Sequence, residues 1–88
     1  MWALRKNKQQ KGINDYKQEG FQFLKESYPL GSSFEYIGST MIVTGHSEMM
    51  TFYHSVSCWP KLVCDYRDNL GRINQIRFTV DEARRLKS

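Results

Sequence analysis

Residues 61–78 read KLVCDYRDNLGRINQIRF, and this stretch decides the fold. Asn69-Leu70-Gly71 suits a three-residue hairpin loop, with Gly71 in the left-handed position that makes a bulge. Asp68 then faces Arg72, Cys64 faces Ile76 and Leu62 faces Phe78. That register gathers Leu62, Cys64, Tyr66, Ile76 and Phe78 on one side. Val63, Asp65, Arg67, Gln75 and Arg77 fall on the other. An antiparallel pair with one apolar and one polar face packs against a core on one side and meets water on the other.

Working outward, Thr79 and Glu82 have capping-box spacing, in which each side chain caps the other's backbone N–H. The following helix is acid-first (Asp81, Glu82) and base-last (Arg84, Arg85, Lys87), as a helix dipole favours. Val80, Ala83 and Leu86 point inward. Upstream, FEYIGSTMIV (34–43) reads as a second hairpin. Gly38-Ser39 fits a type II′ turn and pairs Tyr36 with Met41 and Phe34 with Val43. Phe34, Tyr36, Met41 and Val43 then share a face.

The segment from Asn14 or Asp15 to Tyr28 carries helical periodicity. Tyr16, Gly20, Phe23 and Leu24 follow one stripe, which Phe21 and Tyr28 widen. Asn14 or Asp15 suits the N-cap, and Pro29 ends the helix. Gly20 costs about 1 kcal/mol against Ala within a helix, so its place there points to close approach of a neighbour.

Residues 49–60, MMTFYHSVSCWP, contain no Asp, Glu, Lys or Arg. Thr51 to Val56 is rich in β-formers and reads as a further strand, with Phe52, His54 and Val56 on one face and Thr51, Tyr53 and Ser55 on the other. Trp59-Pro60 then forms a turn. The expected fold is α+β: an N-terminal helix, a curled antiparallel meander of four to five strands and a short C-terminal helix. Five short strands can curl into a small open barrel of SH3-like form.

Eighty-eight residues make one small domain. A chain of this size buries only about 60–65% of its unfolded surface. Residues 1–11 carry Arg5, Lys6, Lys8 and Lys11 and no acid. The remainder has nine basic and nine acidic side chains, so the excess charge lies in this arm. Residues 1–12 are expected to form a flexible basic arm and 13–88 the folded domain. The uncharged stretches are too short for a membrane helix, which needs about 20 apolar residues. MWALRK has too short an apolar run for a signal peptide. A soluble cytoplasmic protein with two free thiols is the expectation.

His46, His54, Cys58 and Cys64 make up a full tetrahedral zinc set by type, but with spacings of no familiar zinc motif. His54 and Cys58 could pair as base and nucleophile, yet no orienting acid or oxyanion hole accompanies them. No cofactor motif is present. Glu48 is the only Asp, Glu, Lys or Arg between Tyr36 and Pro60. Met49, Met50, Phe52, Tyr53 and Trp59 therefore form a candidate protein-docking patch, of the residue types enriched at interfaces. The expected function is a non-enzymatic module that docks a protein partner on residues 49–59. The alternative is nucleic-acid binding through the basic arm, with Tyr53 and Trp59 as stacking surfaces.

Overall fold

The computed structural model describes residues 12–87. Helix α1 (Ile13–Ser27) is followed by strands β1 (Ser33–Tyr36), β2 (Ser39–Phe52), β3 (Ser55–Arg67) and β4 (Ile73–Phe78), then helix α2 (Val80–Lys87). The strands form one antiparallel sheet in the order β1-β2-β3-β4. The fold is α+β, with the sheet curled but its outer strands unpaired with each other. Four strands are present among the described residues, because 51–56 does not form a strand of its own.

Local chemistry explains most boundaries. Gly12 is the N-cap of α1, so the helix begins ahead of the expected Asn14 or Asp15. Asp15 instead serves three positions into the helix, where its carboxylate accepts a hydrogen bond from the Gly12 N–H at 3.4 Å. The helix ends at Tyr28, whose N–H donates to the Leu24 carbonyl at 2.8 Å, and Pro29 prevents a further turn. At α2 the capping box is complete. The Thr79 N–H donates to Glu82 Oε1 at 2.8 Å and the Glu82 N–H to Thr79 Oγ1 at 3.1 Å.

The 61–78 hairpin has the expected register, with Leu62 opposite Phe78 and Cys64 opposite Ile76. Its loop closes with the Asp68 N–H on the Arg72 carbonyl, and Gly71 has φ +80°. The 34–43 hairpin differs from expectation by one step. Phe34 pairs with Met41 and Tyr36 with Ser39, so Ile37-Gly38 is the turn rather than Gly38-Ser39. Both turn residues have positive φ, +48° and +78°, as a type I′ turn requires. A shift of two in the pairing leaves the same side chains on the same face, so apolar pattern alone does not separate the registers. The observed one sets Thr40 Oγ1 against the Glu35 carboxylate and lets Val43 bond to Ser32 and Gly31.

The core lies between the helices and the concave side of the sheet. Leu24, Tyr28, Met41, Val43, Leu62, Cys64, Phe78 and Ala83 form it, every one at most 4% exposed. Full burial of an aliphatic side chain contributes roughly 1.5–3 kcal/mol. Tyr28 sits at the junction: its ring meets Phe34 edge-on at 5.4 Å, and its hydroxyl donates to the Ala83 carbonyl at 2.6 Å. That bond satisfies the one polar group the ring carries inside.

Gly20 positions α1 on the sheet. A Cβ there would lie 2.9 Å from Pro60 Cγ and 3.0 Å from Val80 Cγ2. The glycine thus permits the close approach that its place in a helix suggested. Pro60 itself lies within β3, opposite Ser47, and not in a turn.

Candidate functional site

The chain reverses at Tyr53-His54, with φ of +48° and +67°. Residues 51–56 are therefore the tip of a long β2–β3 hairpin, where Thr51 pairs with Val56 and Phe52 with Ser55. The expected alternation of Phe52, His54 and Val56 along one strand face does not exist, because the turn interrupts it. Toward its tip this hairpin runs beyond both neighbours. β1 pairs only with residues 39–42 of β2, and β4 only with residues 62–67 of β3.

One side of the ribbon, the first half of α1 and the start of α2 enclose a groove of about 520 Å³. Met50, Phe52, Trp59 and Pro60 line it from the ribbon, Tyr16 and Gly20 from α1, and Val80 from α2. Lys17, Glu19, Lys61, Asp81 and Arg84 also line it, giving mixed charge. Trp59 is held at its ring nitrogen and over its ring face. Its Nε1–H donates to Ser57 Oγ at 2.8 Å, and Lys17 Nζ stands 4.4 Å from the ring centroid. Lys61 pairs with Glu48 at 3.8 Å, and Arg77 with the same carboxylate at 2.8 Å.

Of the five residues expected to dock a protein, the structure brings Met50, Phe52 and Trp59 together in this groove. Met49 and Tyr53 stand apart from it. Met49 is 69% exposed beside Val63, Asp65 and Arg77, and Tyr53 is 96% exposed at the hairpin tip. Tyr53 and Trp59 therefore do not make one surface. The α1 and α2 contributions were not foreseen as site residues. Gly20, odd in a helix, was the one trace of them.

The candidate zinc ligands are scattered. His46 Nε2 lies 2.6 Å from the Tyr28 carbonyl, and His54 is in the exposed tip turn. Cys58 is exposed, whereas Cys64 is in the core. Burial, and secondarily the Asp65 charge, push the Cys64 thiol up to about 11. Among the described residues no three His, Cys, Asp or Glu side chains converge on a metal position. His54, in the tip turn, and Cys58, opposite Met49, sit at different levels of the hairpin. Cys58 instead shares a shallow recess with His46, Phe21 and Leu30.

Arg5, Lys6, Lys8 and Lys11, the candidate nucleic-acid contacts, lie outside the described residues. Among those described, no helix is long and apolar enough to cross a membrane. No family model matches the chain, and no curated protein or solved structure is detectably similar to it.

Proposed function

We propose that this protein is a non-enzymatic cytoplasmic binding module, whose partner is a protein segment that seats an apolar side chain in the α1–ribbon–α2 groove. The observation that carries this reading is the convergence of Met50, Phe52, Trp59, Pro60 and Val80 on one open cavity of about 520 Å³. Ligand-sized sites span about 300–1,000 Å³ and are mostly apolar, with a few polar groups that orient the occupant. A leucine or aromatic side chain buried there gains roughly 1.5–3 kcal/mol. Tryptophan is among the residues that most often dominate interface energies. Lys17 and the Ser57 hydroxyl hold Trp59 in place, which lowers the ordering cost of an incoming partner.

The test is selection of peptides from a random displayed library, followed by amide NMR of the labelled full chain. Selected peptides are expected to shift Gly20, Val80 and the Trp59 indole. Phe52→Glu is expected to weaken them about tenfold or more, a loss of about 1.4 kcal/mol, with Tm unchanged. Shifts confined to other surfaces, or insensitivity to Phe52→Glu, would remove the groove from the function. Oligonucleotides titrated at low salt supply the competing arm. If they move the Trp59 indole while peptides do not, the protein binds nucleic acid instead.

A further inference from the structure

The ribbon carries a second surface, independent of the groove. In a two-residue hairpin the residues flanking the turn exchange both backbone hydrogen bonds, and every second pair does so after them. From the tip, those pairs are Phe52–Ser55, Met50–Ser57 and Glu48–Trp59. Ser47, Met49 and Thr51 therefore turn their N–H and C=O groups away from β3. Among the described residues no strand lies there, since β1 reaches only to Ile42.

The sheet's other free edges are guarded as soluble proteins guard them, by shortness, charge or proline. β1 is four residues long. β4 ends in Arg77-Phe78, and the open part of β3 carries Pro60 and Lys61. Pro60 follows from the same alternation: its nitrogen faces outward past the end of β4, where no ladder bond is lost. The Ser47–Thr51 edge has neither proline nor an uncompensated charge. Its one ionised residue, Glu48, is neutralised within the chain by Arg77 and Lys61.

We propose that this edge pairs with the same edge of a second copy, joining two sheets into one across a two-fold axis at Met49. An antiparallel edge is complementary to itself, and here no like charges meet at the axis. Ser47 then faces Thr51 of the other copy. The helices leave room. With α1 seated over β3 through Gly20 and Pro60, the two β3 strands stand three strand spacings apart, about 14 Å. Packed helices need only about 8–10 Å. A contact this narrow holds a weak dimer.

Sedimentation of the full chain from low micromolar to near-millimolar concentration is expected to show mass rising from one chain toward two. Thr51→Pro removes an outward N–H without touching a β2–β3 bond and is expected to keep the chain monomeric. Val56→Pro, the same change on the β3 edge, is expected to leave the dimer intact. Met49→Cys in a Cys58→Ser background supplies a readout independent of the proline variants' folding. Facing residues at about 5.5 Å between Cα atoms are within disulfide reach, so oxidation is expected to give a covalent dimer. A chain monomeric throughout, or a dimer indifferent to Thr51→Pro and not cross-linked at position 49, would overturn the proposal. Neither outcome bears on peptide binding in the groove.

Discussion

Gly20 is the residue on which α1 depends. Alanine there would raise helix propensity by about 1 kcal/mol. Its Cβ would also press into the Pro60 ring at 2.9 Å, and that ring has no rotamer in which to retreat. Overpacking of this kind costs typically about 1–3 kcal/mol. Gly20→Ala is therefore expected to lower the urea unfolding free energy despite its better propensity. In a Pro60→Ala background the same change is expected to cost less or turn stabilising, and the double-mutant cycle measures the difference. At this scale the sequence was partly legible. A glycine inside an amphipathic stripe announces a close neighbour, though not which one. Asp15 was harder to place, since a carboxylate serves equally well at the N-cap or three residues further on, and Gly12 in the cap carries no side chain to advertise itself.

Among the elements, the two tight turns separate what pattern reveals from what it hides. The 61–78 hairpin was readable because Gly71 and Asp68 each have a distinct task. Asp68 accepts from the N–H groups of Leu70 and Arg72, both at 2.9 Å, and Gly71 takes the left-handed conformation. Tyr53-His54 has no such marker, so a β-rich run looked like a strand when it was a turn with two arms. Ile37 is a third case. A β-branched residue at φ +48° is rare and strained, and its side chain is 83% exposed, so packing does not compensate. Left-handed backbone costs residues with a Cβ roughly 1–2 kcal/mol, and asparagine less. Ile37→Asn is expected to stabilise the protein by about 1 kcal/mol, seen as a Tm several degrees higher with the β1–β2 register unchanged.

For the whole molecule, acid is the informative stress. The Asp68 carboxyl lies below its ordinary range, chiefly through the Arg72 N–H and then the Asn74 amide, with a further bond from Leu70. Glu82 is lowered chiefly by the Thr79 N–H, with smaller help from the Thr79 hydroxyl, Arg85 and Lys61. Unfolded, the two titrate near about 3.9 and 4.3. As pH falls, the unfolded chain takes up these protons first, so the stabilisation is complete above roughly pH 5 and is lost as pH drops through the lowered folded values. The urea midpoint is expected to fall steadily from about pH 5 to pH 3. Asp68→Asn is expected to start lower at neutral pH and to decline with a shallower slope. The groove was the least legible feature at this scale. Met50 and Trp59 could be picked out by type, but their meeting with Tyr16, Gly20 and Val80 depends on how α1 and α2 dock, which no local pattern encodes.

The bond from the Tyr28 hydroxyl to the Ala83 carbonyl joins residues 55 positions apart. It draws the end of the first helix onto the last one, over a core to which both helices and the three strands β2, β3 and β4 each give at least one buried side chain. No run of neighbouring elements can bury its apolar face before the chain has closed on itself. Loop-closure entropy is therefore spent once and early, and the gain arrives together rather than piecemeal. The body of the protein is expected to fold and unfold as a single unit, while the hairpin tip at Tyr53-His54, which supplies nothing to that core, can open and close without asking the rest of the molecule to follow.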